Sequence, residues 1–323
     1  MGKTTLYILT GPTASGKEAA GLRLAREMGG EIIVVDSMKI YRGLDIGTAK
    51  PTAAMRAEVP HHCIDFVAQD VNFSVAEYVR GAERAVAQIV AAGKPVVLVG
   101  GTALYYKGLL EGLCDAPAAD MAVRARLESE AAEAGLPALY ARLQKKDPAA
   151  AAKIHVNDAR RIVRALEVLE LTGQTLSARQ VQWAGFHAEN PPARAAWRTD
   201  FDIRMAVLDW DRPRLRERIR ARVDRMLDAG LLAEAEDVWK RRDRIARAPL
   251  QAVAYKEFFP YFAGECNLPT AVELLKTRTC QLAKSQMTWF RKFPAARVIP
   301  EPGMDAGDIA RAVARAWETA PAQ

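Results

Sequence analysis

The feature that most constrains the fold is a glycine-bounded loop near the start of the chain. Gly11–Lys17 reads Gly-Pro-Thr-Ala-Ser-Gly-Lys and follows the apolar run Thr5–Thr10, while Glu18–Met28 has the Ala, Leu and Arg content of a helix. The spacing alone is modest evidence, but the strand before it and the helix after it favour a phosphate-binding loop. There, backbone N–H groups hold phosphate oxygens and the lysine supplies charge. The candidate ligands are Gly11, Thr13, Ala14, Ser15, Gly16 and Lys17.

Further strands and helices alternate after this loop. Glu31–Val35 and Pro95–Val99 are short apolar runs typical of buried strands, and Val75–Ala92 between them predicts a helix. This alternation predicts an α/β fold with a P-loop NTPase-like parallel sheet at its core. Ligands bind beyond the carboxyl ends of such strands, where Asp36 and Thr102 lie together with the loop.

The middle of the chain differs in composition from both ends. Residues 116–198 are rich in Ala, Arg, Glu and Leu and contain no convincing strand, whereas Phe201–Asp209 has the pattern of a strand returning to the sheet. We therefore predict a catalytic core formed by residues 1–115 and 199–323, with a helical insertion domain at 116–198.

Composition restricts the class of protein. No uncharged apolar stretch is long enough to span a bilayer, so we expect no membrane partner and a cytoplasmic location. Lys and Arg number 46 against 39 Asp and Glu, a net charge of +7, which favours an anionic partner. The four cysteines show neither disulfide nor zinc spacing, and we expect reduced structural thiols at Cys63, Cys114, Cys266 and Cys280.

Glu18 occupies the position at which phosphate loops usually carry the Ser or Thr that binds Mg²⁺. Its carboxylate could ligate Mg²⁺ directly, because hard cations accept carboxylate oxygens. It could instead repel a bound phosphate and oppose the positive end of the helix dipole. We therefore expect Mg²⁺ as the cofactor, with Glu18 as its candidate ligand. Both interpretations are physically open, and we favour the second, because the carboxylate partly cancels the helix dipole that the loop presents.

Further motifs follow the loop in a fixed order. They are Asp36–Tyr41, Gly47–Pro51, Pro60–Asp65, Gly100–Tyr105, Asp158–Leu169, Arg218–Leu231, Ala252–Glu257 and Thr277–Arg291. Together with the loop, they resemble the signature set of the bacterial tRNA dimethylallyltransferases (tRNA isopentenyltransferases) over nearly the whole chain. So many elements in one order are poorly explained by chance.

The resemblance implies that a dimethylallyl group passes from dimethylallyl diphosphate to the exocyclic N6 amine of the adenosine 3′ of the anticodon. Asp36 would be the base that accepts the amine proton. Thr13, Lys17, Thr102 and Arg222 would bind the diphosphate and stabilise its growing charge, with Arg218, one helical turn earlier, as the nearest rival to Arg222.

The implied partners are dimethylallyl diphosphate and a tRNA anticodon stem-loop, and the enzyme is expected to be a monomer. The insertion and the basic C-terminal region would bind the tRNA. The candidate tRNA-binding residues are Ser37, Lys39, His61, Lys284, Gln286 and Arg291.

Simpler interpretations exist for several of these residues. Asp36 could have no role beyond capping the turn that follows its strand. His61 and His62 have no partner at metal-ligand spacing, which favours a structural or RNA-contacting role. The arginines near Arg222 flank the apolar stripe of an amphipathic helix, so some of them remain solvated.

The chain departs from the family pattern at three further positions. Lys39 stands in place of Gln, Ala254 in place of Gly, and Ser285 in place of a basic residue. Three alternative functions remain open: an adenylate dimethylallyltransferase, a small-molecule kinase that uses ATP, and a catalytically impaired relative that binds tRNA. The insertion and the basic C-terminal region argue against the first, and the later motifs against the second.

Overall fold

A computed structural model describes residues 3–113, 116–117, 119–180 and 201–319. Its parallel sheet has the strand order β3-β2-β4-β1-β5-β6, so the first strand lies inside the sheet. The strands are β1 (Thr4–Thr10), β2 (Glu31–Val35), β3 (His61–His62), β4 (Val96–Gly100), β5 (Phe201–Leu208) and β6 (Ala296–Val298). The predicted α/β parallel sheet is confirmed, with all four predicted strands. The short strands β3 and β6 were not predicted.

The helices of the described residues are α1 (Lys17–Met28), α2 (Ala53–Glu58), α3 (Val75–Ala91), α4 (Ala103–Glu111), α5 (Met121–Ala134), α6 (Leu136–Lys146), α7 (Pro148–Ala151), α8 (Ala159–Thr172), α9 (Leu176–Arg179), α10 (Arg212–Asp228), α11 (Leu231–Lys240), α12 (Phe259–Phe262), α13 (Leu268–Phe290) and α14 (Ala306–Thr319). Short 3₁₀ turns occupy Arg242–Arg244, Pro249–Gln251 and Lys256–Phe258. None of the described helices is long and apolar enough to cross a membrane.

Local sequence explains where helix α3 begins and where helix α1 ends. At α3, the Ser74 side chain accepts from the Glu77 N–H while the Glu77 carboxylate accepts from the Ser74 N–H, a capping box that fixes the start of the helix. Helix α1 ends at Gly29, whose φ of 65° is favourable for glycine. Both helix predictions are confirmed.

The chain divides into two compact units. The first comprises Met1–Leu110 and Ala193–Gln323, and the second comprises Glu111–Pro192. In the first unit, the sheet core contains buried side chains of β1, β4 and β5 together with Trp210 and Trp317. A second cluster, centred on Tyr41, Tyr255 and Phe258, packs α10, α11 and α13.

The described residues of the second unit form helices α5 to α9, with turns and irregular segments between them and no strand. Leu127, Leu143, Ile162 and Leu166 are at most 1% exposed and form the centre of its core. The remainder of the predicted insertion, residues 181–198, lies outside the described residues. The role of this unit in tRNA binding stays a prediction.

Three of the cysteines, Cys63, Cys266 and Cys280, are free thiols. Burial raises the pKa of Cys63 to about 11, so this thiol stays protonated and unreactive near neutral pH. Cys114 lies outside the described residues.

Candidate active site

The phosphate loop connects β1 to α1 through two residues with left-handed backbone angles. The φ angles are 62° at Ala14 and 91° at Gly16. Such turns point successive N–H groups into one concavity that suits an anion. The Ser15 hydroxyl is fully buried, and no described residue forms a hydrogen bond with it. The N–H groups of the loop are therefore the donors that it offers to an anion.

Side chains from α10 and from the segment between β5 and α10 hold this loop in shape. The Trp210 indole N–H donates to the Ser15 carbonyl at 2.9 Å, and Arg218 Nε donates to the Ala14 carbonyl at 2.9 Å. The Arg218 guanidinium also lies 4.3 Å from the centroid of the Trp210 ring. These contacts occupy Arg218 in supporting the loop.

Gln286 on α13 joins the loop to the end of β4. Its Oε1 accepts the Thr13 N–H at 2.8 Å, and its Nε2 donates to the Gly101 carbonyl at 2.9 Å. A Cβ at Gly101 would lie 2.5 Å from Gln286 Nε2, so glycine is required for this approach. Gln286 was predicted to bind tRNA, whereas its amide contacts in the structure brace two loops of the site.

The two carboxylate oxygens of Asp36 have different surroundings. Oδ1 accepts the Met38 and Lys39 N–H groups at 2.8 and 3.2 Å, which is the turn-capping role expected of an aspartate after a strand. No described residue donates to Oδ2. Nearby, Thr102 Oγ1 accepts the Ser37 N–H at 3.1 Å and anchors the residue after Asp36. One oxygen therefore fixes the geometry, and the other is free to accept a proton.

Glu18 points toward two lysines. Its Oε1 lies 3.0 Å from Lys39 Nζ and 3.4 Å from Lys17 Nζ, and the Lys17 ammonium also donates to the Pro12 carbonyl at 3.2 Å. Burial would raise the pKa of Glu18, but these two ammonium groups and the Arg222 guanidinium hold it well below its usual range. Glu18 is therefore a carboxylate at neutral pH.

These contacts also test the expected Mg²⁺ ligand. A divalent cation bound to Glu18 would lie beside two ammonium groups and be repelled by both. Among the described residues, no three His, Cys, Asp or Glu side chains come together at a position that could hold a metal ion. The residues present at the loop therefore do not fit a protein-held magnesium at Glu18.

A basic pocket opens beside the phosphate loop. Its volume is about 310 Å³, and it is lined by Ala14, Gly16, Glu18, Ala19, Arg218, Ala221, Arg222 and Arg225. Arg222 has no hydrogen bond or ion pair with another described residue, so its guanidinium is available to an anion. Arg225 was not singled out from the sequence, although its spacing of three residues from Arg222 places both on one face of α10.

The remaining candidates for tRNA binding are His61, Lys284 and Arg291. His61 lines a small cavity of about 20 Å³ together with Glu18 and Lys39, and burial lowers its pKa, which favours a neutral imidazole. Lys284 and Arg291 are exposed on α13 and at its C-terminal end. Neither shows a contact with the loop residues in the described structure, and their role in tRNA binding stays a prediction.

The profile of the IPP transferase family matches residues 39–293 of the chain. A protein from Geobacter sulfurreducens named tRNA dimethylallyltransferase is 44% identical over 300 residues, which cover 93% of each chain. A protein of the same name from Ralstonia nicotianae is 43% identical over 316 residues, 96% of each chain. The chain belongs to the tRNA dimethylallyltransferase family.

Solved structures of this family have the same fold. The full-length tRNA isopentenylpyrophosphate transferase from Bacillus halodurans is 35% identical, with a TM-score of 0.67 over 98% of this chain and 97% of its own. A eukaryotic dimethylallyltransferase described as acting on tRNA is 26% identical, with a TM-score of 0.74 over 98% of this chain and 76% of its own. The resemblance read from the motifs is confirmed, and the chain is a member of a transferase family.

Proposed function

We propose that this protein transfers the dimethylallyl group from dimethylallyl diphosphate to the N6 amine of the adenosine 3′ of the anticodon in tRNA. The observation that carries the proposal is that two features lie at the same edge of the sheet. They are Asp36, with its free Oδ2, and a phosphate loop flanked by Arg222, which has no partner among the described residues. A base and an anion site at the same edge of the sheet suit an amine nucleophile and a diphosphate leaving group.

The chemistry follows from these groups. The N6 nitrogen attacks C1 of the dimethylallyl group, the C1–O bond breaks, and its electron pair leaves on the diphosphate. The amine proton passes to Asp36 Oδ2, which relieves the positive charge that develops on a weakly basic aromatic amine. Lys17, Arg222 and the loop N–H groups bind the diphosphate and stabilise the charge that grows on it.

Dimethylallyl diphosphate would lie with its phosphates on the loop and its prenyl group toward Asp36. The tRNA would meet the site through its anticodon stem-loop, with Ser37, Lys39 and His61 nearby and Lys284 and Arg291 farther along α13. Any Mg²⁺ would be held mainly by diphosphate oxygens and water, because Glu18 is engaged by two lysines. The predicted cytoplasmic location and monomeric state stay predictions.

Mass spectrometry of nucleosides tests the proposal. Unmodified tRNA is incubated with the protein, dimethylallyl diphosphate and Mg²⁺, and then digested. We expect N6-dimethylallyladenosine from the anticodon loop of tRNA and no comparable product from AMP. Transfer to AMP in preference to tRNA would identify an adenylate enzyme, and tRNA binding without any transfer would identify an impaired relative.

A further inference from the structure

Glu18 and Lys39 form an ion pair between the two halves of the site. Glu18 lies in the first turn of α1 and Lys39 in the turn after β2, and Lys39 Nζ donates to Glu18 Oε1 at 3.0 Å. The Lys39 side chain is only 3% exposed. Its backbone N–H donates to Asp36 Oδ1. Lys39 is therefore fixed at one end by the proposed base and at the other by the phosphate loop helix.

Each member of the pair would be unfavourable without the other. A buried ammonium with no counter-ion is strongly destabilising. A carboxylate in the first turn of α1 lines the basic pocket and would repel a diphosphate there. Together, Glu18 and Lys39 add no net charge, so the positive charge of Lys17 remains available to the ligand.

We propose that Glu18 and Lys39 act as one neutral positioning unit that links the phosphate loop to the turn presenting Asp36. Lys39 cancels the charge that Glu18 would otherwise present to the diphosphate, and Glu18 holds Lys39 against the Asp36 turn. This proposal rests on the proposed function only in taking a diphosphate as the ligand of the loop. It also accounts for the presence of a charged residue at two of the positions where the chain departs from the expected pattern, Glu18 and Lys39.

A double-mutant cycle tests the proposal on the full-length chain. Pyrophosphate binding is measured by calorimetry, in buffer containing EDTA, for the natural protein, Glu18→Thr, Lys39→Gln and the double variant. Threonine is a residue that phosphate loops usually carry at this position. We expect Lys39→Gln to weaken binding about tenfold or more, because the Glu18 carboxylate then faces the ligand with less compensation. The double variant should bind within about threefold of the natural protein.

Thermal unfolding of the same variants provides a second measurement. Glu18→Thr should lower the unfolding temperature, because Lys39 is left buried without its partner, and the double variant should recover most of the loss. If the single variants do not fold, recovery of the natural unfolding temperature by the double variant supports the pair. A double variant as unstable as the single variants would overturn it.

A matched control tests whether the loss of another ion pair on α1 also changes pyrophosphate binding. Arg23 and Glu27 form an exposed pair at 2.7 Å on the same helix, so Arg23→Gln with Glu27→Thr should leave pyrophosphate binding unchanged. Binding by the Glu18/Lys39 double variant as weak as that of Lys39→Gln would mean that Lys39 contacts the diphosphate on its own and would overturn the proposal. A Lys39→Gln variant that binds pyrophosphate as tightly as the natural protein would also overturn the proposal. Pyrophosphate binding needs neither tRNA nor prenyl transfer, so failure of the nucleoside assay leaves this result intact.

Discussion

At the scale of single residues, the two carboxylate oxygens of Asp36 have different roles. Asp36→Asn keeps the Oδ1 that accepts the Met38 and Lys39 N–H groups, so the turn should persist, but the amide cannot accept a proton. We expect the rate of prenyl transfer to fall about 10²–10⁴-fold, with tRNA affinity nearly unchanged. Single-turnover kinetics and filter binding measure the two effects. Near-normal turnover would remove Asp36 from the mechanism.

Arg222 and Arg220 offer a matched comparison on α10. Arg222 lines the basic pocket without a partner among the described residues, whereas Arg220 is exposed and pairs with Glu273 at 2.9 Å. Arg222→Ala should weaken pyrophosphate binding about tenfold and also slow transfer, because the charge it meets exists before the reaction and grows during it. Arg220→Ala should change neither quantity. Equal effects of the two substitutions in calorimetry and kinetics would contradict this assignment.

Ala254 carries backbone strain at a position where the family pattern has glycine. Its φ is 109°, a region that residues with a Cβ rarely adopt, and its N–H donates to the buried Glu257 carboxylate at 2.9 Å. Ala254→Gly should therefore stabilise the folded state by about 1 kcal/mol, measured by chemical denaturation. The control Ala252→Gly, at a φ of −59°, should destabilise it instead. Lower stability of Ala254→Gly would show that the strain is absent.

At the scale of elements, the motif Asp158–Leu169 organises the second unit around a buried carboxylate. Glu167 on α8 is fully buried and accepts from Arg124 Nε and Nη2 at 2.9 and 3.0 Å, from Arg164 at 2.7 Å, and from the Asp120 N–H at 2.8 Å. Burial raises its pKa, but the two arginines outweigh this effect and lower it. The motif therefore connects α8 to the start of α5.

Glu167→Gln should lower the free energy of unfolding at neutral pH by about 2–3 kcal/mol, a moderate value because both arginines are partly exposed. Since the folded-state pKa is depressed, the contribution of Glu167 is fully present above the unfolded pKa of about 4.3 and is lost as pH falls through the folded pKa. Denaturation from pH 7 to pH 3 should show a smaller acid loss in the variant. Identical slopes in both proteins would refute this role.

The elements that the sequence predicts best are those with strong local patterns. Glu31–Val35 has four consecutive apolar residues, and Phe201–Leu208 is apolar except for Asp202 and Arg204, whereas β3 and β6 are two and three residues long and carry no periodic signal. Contacts between distant residues could not be predicted in this way. Lys39 was expected beside Asp36, but its ion pair with Glu18 depends on how β2 and α1 pack. Arg225 could have been found from its helical spacing alone.

At the scale of the whole molecule, positive charge should govern tRNA affinity. The second unit presents exposed basic side chains at Lys145, Lys146, Lys153 and Arg160. Replacing all four with Gln should weaken tRNA binding and reduce the slope of log affinity against log salt by about one for each lost phosphate contact. Filter binding at several salt concentrations measures this slope.

The control for this test is Lys94→Gln with Lys240→Gln in the first unit, where these exposed lysines pair with Glu31 and Glu236. The control should leave both affinity and slope nearly unchanged. If it weakens tRNA binding as much as the fourfold variant does, the loss in the fourfold variant does not identify a tRNA-binding surface on the second unit.

The central position of β1 has a consequence for synthesis on the ribosome. This strand is synthesised before β4 and β5, with which it pairs, and its Ile8 carbonyl accepts from the indole N–H of Trp317, 309 residues later in the sequence. The Thr13 N–H donates to Gln286, which is synthesised 273 residues later. A nascent chain therefore carries a phosphate loop that lacks its Gln286 brace until α13 has been synthesised. Premature termination anywhere before Gln286 should yield a product without a working diphosphate site, whatever proportion of the sheet it has formed.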